Sequence, residues 1–319
     1  MMPSNQTDPV LVTIICLVYN HEPYLRQCLD GFVMQKTDFK IEAIVHDDCS
    51  TDNSRAIIQE YAEKYPSIII PVYESENQYS KIGFSGINKL LEPYVHGKYI
   101  AFCEGDDYWT DSLKLQKQVN YLEIHPECGM VYTQAYQFEE NTGKRSLGWA
   151  RQTNFEKLLI GLNTIITLTT CLRSEFFFKF QKEINPPKTW LMADYPLWLY
   201  IAYHTDIYFM NRITGEYRIL ENSASHSTDI RKQINFIESS LSIRLFLDKS
   251  LCGSSHKKQV YQDAVKNCFD ISKSNNANLF GEIFKLSKRG KIVSVRNILK
   301  MITYSNRWGR QIIRKRLSL

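Results

Sequence analysis

The chain has 319 residues, of which 44% are hydrophobic and 23% are charged, an ordinary composition for a globular protein. It contains no run of about 18 apolar residues, so we expect no membrane-spanning helix. Residues 1–8 are polar and lack the apolar core of a signal peptide, so we expect a cytoplasmic protein. The eight cysteines show no metal-ligand spacing, and we expect reduced, mostly buried thiols rather than disulfides.

The net charge of +5 is distributed unevenly along the chain. Residues 283–319 carry eleven Lys and Arg and no Asp or Glu, which leaves 28 basic and 34 acidic side chains elsewhere. Apolar residues alternate with these cations in the pattern of an amphipathic helix that lies on an anionic membrane surface. A helical hairpin packed on the rest of the chain explains the pattern equally well. No nucleic-acid-binding motif accompanies the charge, so we expect no nucleic-acid partner.

Strands and helices alternate in the first third of the chain. Apolar runs predict strands over residues 10–19, 41–46, 68–73 and 99–103. Apolar residues at helical spacing predict helices over residues 24–35, 54–65 and 84–91. The first strand is apolar throughout, which is typical of a strand buried on both faces of a parallel sheet. We therefore predict an α/β fold.

The later part of the chain continues the sheet and then becomes helical. We predict strands over residues 130–138, 164–172, 207–210 and 214–219, and a helix over residues 196–203. From residue 229 onward the pattern is helical, with helices near residues 229–247 and 257–272. We therefore expect a catalytic domain over residues 1–228 and a basic, helical C-terminal extension over residues 229–319.

Two of the first four predicted strands end in acidic pairs. Asp47 and Asp48 follow the second strand, and Asp106 and Asp107 follow the fourth. Ligands of open α/β sheets bind beyond the carboxyl ends of the strands. Carboxylates gathered there repel each other unless a cation lies among them, and Mg²⁺ or Mn²⁺ would share its ligand shell with substrate phosphates. The pairs predict a metal–diphosphate site; the alternative is that they cap the following helices.

Several motifs together resemble those of family 2 glycosyltransferases. Residues 13–20 (TIICLVYN) and 47–52 (DDCSTD) are similar to the family's apolar strand ending in Tyr-Asn and its Asp-Asp-x-Ser-x-Asp motif. Asn77, Gly83 and Asn88 match its Asn-x-Gly and Asn positions, and residues 103–109 (CEGDDYW) resemble its Asp-x-Asp region. The resemblance covers about residues 9–227. It implies a GT-A fold, which is a Rossmann-like, mostly parallel sheet flanked by helices, together with a nucleotide-sugar donor and inversion at the anomeric carbon.

The resemblance also implies roles in binding the donor. Tyr19 is expected to pack on the nucleobase, and Asp48 to accept a hydrogen bond from a ring N–H, which uracil offers. A UDP-sugar is therefore the favoured donor. Asp106 is expected near the ribose and the metal, and Asp107 as a direct ligand of Mn²⁺ or Mg²⁺. Glu104 replaces the first Asp of Asp-x-Asp and keeps its charge, although its side chain is one methylene longer.

Asp194 is the candidate general base. Inversion by single displacement requires one base that takes the proton of the acceptor hydroxyl. Residues 191–198 (LMADYPLW) resemble the family's acid-Asp-x-x-Leu-Trp motif, with Ala193 in place of the preceding acid. The alternative interpretation is that Asp194 only caps the helix that follows, and both interpretations can hold together.

Two further candidates lie at the end of the last predicted strand and in the loop after it. Residues 217–218 (YR) and 223–226 (SASH) resemble the family's Tyr-Arg and small-residue stretch. Arg218 is a candidate ligand of the donor diphosphate, or alternatively part of a structural salt bridge. His226 is a candidate metal or phosphate ligand, although a histidine in such a loop is more often solvated.

The functional hypothesis is an inverting, metal-dependent glycosyltransferase that moves one sugar to the hydroxyl of a glycan or lipid-linked acceptor in cell-surface polysaccharide assembly. The Gln-x-x-Arg-Trp motif of processive synthases is absent. Residues 283–319 would provide peripheral contact with the inner membrane face. One alternative is a nucleotide-sugar-binding module without turnover, against which the intact Asp106, Asp107 and Asp194 argue. Another is a nucleotidyltransferase, which needs a Gly-rich loop where residues 20–23 read NHEP.

Overall fold

The computed structural model describes residues 9–184, 186–220, 229–275 and 277–292. The chain divides into two compact units. The first contains Met1–Phe155, Asn163–Thr189 and Ala193–Leu220, and the second contains Glu156–Leu162, Trp190–Met192 and Glu221–Leu319. Residues 221–228 lie outside the described residues, so the expected domain boundary after residue 228 stays a prediction.

Strands and helices alternate in the first third of the chain, as the sequence pattern predicts. The elements are β1 Val10–Val18, α1 Glu22–Val33, β2 Lys40–Asp47, α2 Ser54–Lys64, β3 Ile69–Tyr73, α3 Gln78–Leu91 and β4 Tyr99–Phe102. The interior of β1 is inaccessible to solvent at Val12, Ile14 and Cys16. Because both faces of this strand are covered, its sequence shows no polar alternation.

The next elements along the chain, as far as residue 219, include several short ones. They are β5 Tyr108–Trp109, α4 Lys114–Ile124, β6 Cys128–Glu139, β7 Lys144–Leu147, α5 Phe155–Ile160, β8 Cys171–Arg173, α6 Ser174–Glu183, α7 Asp194–His204 and β9 Asp206–Ile219. Two 3-10 turns lie at Glu92–Tyr94 and Thr167–Thr169. No helix in these described ranges is long and apolar enough to cross a bilayer.

The sheet is mixed and flanked by helices, which confirms the α/β architecture. Its strand order is β3-β2-β1-β4-β8-β6-β9-β5, with β7 beside β6. The first four strands in that order are parallel, and β8 is antiparallel to both β4 and β6. Strands β6 and β9 are parallel to each other. It follows that β1, β2, β4, β6 and β9 all point their carboxyl ends to the same edge of the sheet.

Two predictions about the later strands are wrong. Residues 164–172 form no long strand, because the hydroxyls of Thr169 and Thr170 donate to carbonyl oxygens three residues back (2.7 and 2.8 Å) and hold a 3-10 turn. The predicted strands over residues 207–210 and 214–219 are one strand, β9. Its register against β6 shifts on either side of Gln134, an irregularity that interrupts the hydrophobic pattern.

The second unit is helical where it is described, with α8 Ile230–Cys252, α9 Lys257–Ser274 and α10 Phe280–Arg289. The side chain of Asp229 accepts the N–H groups at the start of α8, and Gly253 ends that helix with φ of 62°. Buried Arg244 donates to Asp263 at 2.7 Å and joins α8 to α9. The amphipathic pattern of residues 293–319 lies outside the described residues.

Candidate active site

The loops after β1 and β2 are joined by hydrogen bonds between the Tyr-Asn and Asp-Asp-x-Ser motifs. Asn20 and Cys49 both adopt left-handed backbone conformations (φ 56° and 64°), which let the chain turn sharply at each strand end. The N–H of Asn20 donates to Ser50 Oγ at 2.9 Å, and the Asn20 carbonyl oxygen Oδ1 accepts from the N–H of Thr51 at 2.8 Å. These contacts fix two neighbouring strand ends relative to each other.

Asp52, the last acid of the motif, stabilises the starts of two helices. Its Oδ2 accepts the N–H of Glu22 at 2.9 Å, and its Oδ1 accepts the N–H of Ser54 at 2.9 Å. Glu22 begins α1 and Ser54 begins α2, where backbone N–H groups have no partner within the helix. This carboxylate therefore positions both helices and takes no part in the predicted ligand set.

Tyr19 and Asp48 lie at the ends of β1 and β2, where the donor site is expected. The Tyr19 side chain is 47% exposed, which leaves its ring available for stacking. Asp48 is only 4% exposed, and its Oδ1 and Oδ2 accept the N–H groups of Gln78 (2.6 Å) and Tyr79 (3.0 Å) at the start of α3. Asp48 therefore caps α3, whereas the capping alternative expected the next helix along the chain, α2. Each oxygen keeps a second lone pair, and the nucleobase contact of Asp48 stays a prediction.

Asp47 has an unsatisfied oxygen that the sequence-based assignment did not anticipate. The side chain is fully buried, and Oδ1 accepts the N–H of Ser50 at 3.3 Å. Its Oδ2 has no hydrogen-bond partner among the described residues. A buried oxygen without a donor costs free energy, and the Asp47 side chain is inaccessible to solvent. The only sequence signal for it was its place in the acidic pair, from which we assigned a role to Asp48 alone.

Glu104, Asp106 and Asp107 form an acidic cluster after β4. One carboxylate oxygen from each lies within 4.8 Å of the other two. Gly105 allows this turn, since its N–H donates to Leu17 O at 3.0 Å and a Cβ there would lie 2.7 Å from His21 Nδ1. Any other residue would push the loop away from β1. The structure thus brings together the three residues expected to hold the metal.

The electrostatics of this cluster favour a cation. Burial, together with the carboxylates of Asp106 and Asp194, raises the pKa of Glu104 to about 8. Burial, reinforced by Asp106 and Glu104, raises the pKa of Asp107 well above its usual range. Without a cation, burial and the mutual repulsion of these carboxylates favour their protonated forms. Oxygen ligands in this arrangement fit Mg²⁺ or Mn²⁺, which would replace those protons.

Asp194 is the first residue of α7, and its charge acts on the acidic cluster. Its Oδ1 accepts the N–H of Tyr195 at 2.7 Å, and its Oδ2 accepts the hydroxyl of Thr167 at 2.6 Å. Its charge contributes to the raised pKa of Glu104, which places the two carboxylates in one electrostatic neighbourhood. Ala193 is the N-cap of α7, so Asp194 is not the N-cap residue of the alternative interpretation, although its Oδ1 accepts one N–H of the first turn. The catalytic role of Asp194 stays a prediction.

Arg218 holds the acidic loop against the end of β9. Its backbone N–H donates to Asp107 Oδ1 at 2.7 Å, and its Nε donates to the carbonyl oxygen of Asp106 at 2.7 Å. The remaining guanidinium nitrogens donate to Glu140 and Gln27, each at 2.8 Å. This is the structural alternative that the sequence left open. Contact between Arg218 and a diphosphate stays a prediction, and His226 lies outside the described residues.

The raised pKa of Glu104 predicts a pH-dependent stability. Folded Glu104 keeps a proton that the unfolded chain loses above its ordinary pKa of 4.5. Between pH 4.5 and about 8, the folded state therefore binds more protons than the unfolded state. The contribution of Glu104 to the free energy of unfolding is fully present below pH 4.5 and is lost as the pH rises towards about 8. We expect the Tm of the metal-free protein to fall over this range more steeply than that of Glu104→Gln. Mn²⁺ should reduce the fall, and equal slopes for the two proteins would contradict the assignment.

Comparison with known proteins identifies the family. Residues 13–183 match the family described as Glycosyl transferase family 2, which is more than half of the chain. The chain therefore belongs to this family of glycosyltransferases. Protein Rv1520 of Mycobacterium tuberculosis (strain H37Rv), whose function is uncharacterised, is 41% identical over 152 residues. That match covers 46% of this chain and 43% of Rv1520, so the chain spans less than half the length of this relative.

Two further relatives have names that describe glycosyltransferases. TuaG of Bacillus subtilis, named for teichuronic acid biosynthesis, is 30% identical over 219 residues, covering 67% of this chain and 81% of TuaG. WfgD of Escherichia coli is named as a UDP-Glc:alpha-D-GlcNAc-diphosphoundecaprenol beta-1,3-glucosyltransferase. It is 27% identical over 224 residues, covering 68% of this chain and 81% of WfgD.

Solved structures confirm the GT-A fold. Staphylococcus aureus TarS superposes with a TM-score of 0.62 at 15% identity, covering 93% of this chain and 54% of TarS. Its fragment 1–349 has been solved with UDP-GlcNAc. The mannosyltransferase PcManGT of Pyrobaculum calidifontis, solved with GDP-Man and Mn²⁺, has a TM-score of 0.54 at 13% identity. The match covers 96% of this chain and 87% of PcManGT.

Proposed function

We propose that the protein transfers a single sugar, with inversion, from a UDP-sugar to an acceptor hydroxyl and depends on a divalent metal. The observations that carry this proposal are that Glu104, Asp106 and Asp107 form one acidic cluster after β4, and that the charge of Asp194 acts on the pKa of Glu104. A single-displacement transfer needs a base for the acceptor and a counter-charge for the leaving group. These residues supply both.

Residues at the ends of β1 and β2 bind the nucleotide. The exposed ring of Tyr19 stacks on the base, and Asp48 accepts a ring N–H. Uracil offers such an N–H, and TarS 1–349 was solved with UDP-GlcNAc. Both observations support a UDP-sugar donor.

Glu104, Asp106 and Asp107 would hold Mn²⁺ or Mg²⁺, and the Mn²⁺ complex of PcManGT supports a metal in this fold. When bound, the ion would neutralise negative charge that accumulates on the departing diphosphate. Arg218 keeps the acidic loop in place through its bonds to Asp106 and Asp107. Asp107 is the least exposed member of the cluster, at 2%, and its Oδ1 accepts a backbone N–H.

Asp194 acts on the acceptor. As the acceptor hydroxyl oxygen forms a bond to the anomeric carbon, Asp194 takes its proton. The bond between that carbon and the diphosphate oxygen breaks at the same time, and UDP leaves with the electron pair. One displacement of this kind inverts the anomeric configuration. The protonated Asp194 then releases its proton to water.

The acceptor is a growing cell-surface glycan, attached to a lipid carrier. The names of two relatives support this: TuaG is named for teichuronic acid biosynthesis, and WfgD uses a diphosphoundecaprenol-linked acceptor. A lipid-linked acceptor places the reaction at the cytoplasmic face of the membrane, where residues 283–319 would make peripheral contact. Anionic lipids attract such basic segments by about 1 kcal/mol per cation near the surface.

Helix α10, which overlaps the start of that segment, presents an aromatic and cationic surface. Phe280 and Phe284 are 38% and 43% exposed, and their rings stack with centroids 6.1 Å apart. Lys288, Arg289 and Lys291 are exposed on the following turns. Exposed phenylalanines beside cations are the composition that interfacial helices use.

Removing the two aromatic rings should weaken membrane binding. We expect Phe280→Ser/Phe284→Ser to float poorly with vesicles containing phosphatidylglycerol, whereas the wild type floats with them and not with pure phosphatidylcholine. The control Ile124→Ser/Leu147→Ser removes apolar side chains that are 73% and 59% exposed elsewhere, and it should float like the wild type. Equal flotation of all three proteins would refute contact through α10.

The experiment that tests the proposed function is UDP release. A panel of UDP-sugars is incubated with the protein, Mn²⁺ and undecaprenyl-diphosphate-linked sugar acceptors. Acceptor-dependent UDP release from one donor supports the proposal, and the anomeric configuration of the product tests inversion. Tight UDP binding without turnover on any pair would instead favour a nucleotide-sugar-binding module.

A further inference from the structure

Buried side chains hold the turn Thr167–Thr169 by its carbonyl oxygens. Trp109 Nε1 donates to the carbonyl oxygen of Leu168 at 2.8 Å. Gln118 Nε2 donates to the next carbonyl oxygen, that of Thr169, at 2.8 Å. Trp109 is 2% exposed and Gln118 is fully buried, so neither bond competes with water. The turn is therefore fixed by donors from two separate parts of the fold.

Lys114 adds a third donor to the same turn. Its Nζ donates to Gln118 Oε1 at 2.8 Å and to the carbonyl oxygen of Thr170 at 3.4 Å, and it lies 4.3 Å from the centre of the Trp109 ring. Burial lowers the pKa of this fully inaccessible lysine to about 8. Burying an ammonium group is costly. Three consecutive carbonyl oxygens, at residues 168–170, are thus held by buried donors.

The residue that this turn presents to the site is Thr167. Its hydroxyl donates to Asp194 Oδ2 at 2.6 Å, while Oδ1 of that carboxylate accepts the N–H of Tyr195. The two contacts together fix the plane of the carboxylate. Without the hydroxyl, Oδ2 would be free to rotate and to turn towards any cation held by the neighbouring acidic cluster.

We propose that Thr167 is a positioning residue for Asp194, on a turn made rigid by the buried donors of Trp109, Gln118 and Lys114. The inference rests on the proposed function, in which Asp194 takes the proton of the acceptor hydroxyl. Thr167 keeps one lone pair of Oδ2 occupied and directs the other towards the acceptor. Trp109 lies two residues after Asp107, so its side chain links the loop of the acidic cluster to the turn that carries Thr167.

The test separates the hydroxyl of Thr167 from its shape. We expect Thr167→Val, which keeps the shape, to lower kcat by about 10- to 100-fold, because misplacing a reacting group by about 1 Å costs on that order. Its KM for the donor and its affinity for UDP should stay within about twofold of wild type, since nucleotide binding does not involve Asp194. Thr167→Ser, which keeps the hydroxyl, should recover most of the lost kcat. Thr167→Ala should have the same kcat as Thr167→Val. Equal values would exclude a steric effect of the valine side chain as the cause of the loss.

Thr164→Val is the matched control on the same segment. The hydroxyl of Thr164 is buried without a hydrogen-bond partner among the described residues, so its loss should leave kcat and KM unchanged. Full kcat in Thr167→Val would overturn the inference. So would a serine variant as slow as the valine variant, or a loss of kcat accompanied by an equal loss of UDP affinity. Absence of transfer by the wild type on every donor and acceptor would count against the proposed function instead.

Discussion

Asp194→Asn is expected to lower kcat by about 10³-fold while leaving UDP binding and folding intact. Asparagine has the same shape, and its amide oxygen can still accept the N–H of Tyr195. It has no basic oxygen that can take a proton from the acceptor hydroxyl, and loss of a general base costs about 10² to 10⁴ in rate. The measurement is single-turnover transfer with saturating donor, together with UDP affinity and Tm.

A matched substitution separates this effect from a general loss of charge. Asp206 begins β9, at the edge of the sheet opposite the carboxyl ends, and its side chain is exposed. Asp206→Asn should therefore transfer sugar like the wild type. The proposed role of Asp194 is wrong if Asp194→Asn keeps more than about a tenth of wild-type kcat, or if it loses UDP affinity together with turnover.

Asp107→Asn is the second substitution with a large expected effect. Asp107 is buried, its Oδ1 accepts the N–H of Arg218, and its neighbours Glu104 and Asp106 raise its pKa. An amide binds a divalent cation more weakly than a carboxylate, so the metal affinity of the whole cluster should fall. We expect kcat/KM to drop about 10³-fold and UDP to bind more weakly, because the stabilisation of the leaving diphosphate is lost. The measurement is a titration of activity against Mn²⁺ concentration.

Asp111→Asn serves as the control for this substitution. Asp111 lies four residues further along the chain and pairs with Lys117 at 2.6 Å, outside the acidic cluster. Its neutralisation should leave the Mn²⁺ dependence of activity unchanged. If Asp107→Asn shows the same Mn²⁺ dependence as the wild type, the acidic cluster is not the metal site.

The part of the fold that positions the site follows closely from the sequence. Strands β1, β2 and β4 are short apolar runs that end in polar motifs, and parallel strands bring those ends to one edge. The acidic group around Asp107 is therefore foreseeable from spacing alone. The spacing does not indicate that Asp194 acts on this group, because Asp194 lies 87 positions after Asp107 in the sequence. Only the family resemblance suggested that the two belong to one site.

Other parts of the structure could not be predicted, because they depend on burial and side-chain hydrogen bonds that the spacing of apolar residues does not reveal. The threonine-rich stretch before β8 has the composition of a strand, yet its hydroxyls bond to nearby carbonyl oxygens and form a turn. Lys114 is a cation in a polar helix, and nothing in the sequence indicates that it is buried. Asp48 and Arg218 are hydrogen-bonded to backbone groups, so the motif residues have structural roles in addition to the ligand contacts predicted for them.

The most direct test of the account is whether UDP binding requires a divalent cation held by this chain. Isothermal titration of UDP into metal-free protein, and into protein saturated with Mn²⁺, measures this without any acceptor or donor sugar. If the carboxylates at the sheet edge hold the ion that contacts the diphosphate, Mn²⁺ should tighten UDP binding by at least about tenfold, or about 1.4 kcal/mol. UDP that binds equally tightly with and without Mn²⁺ would contradict this account.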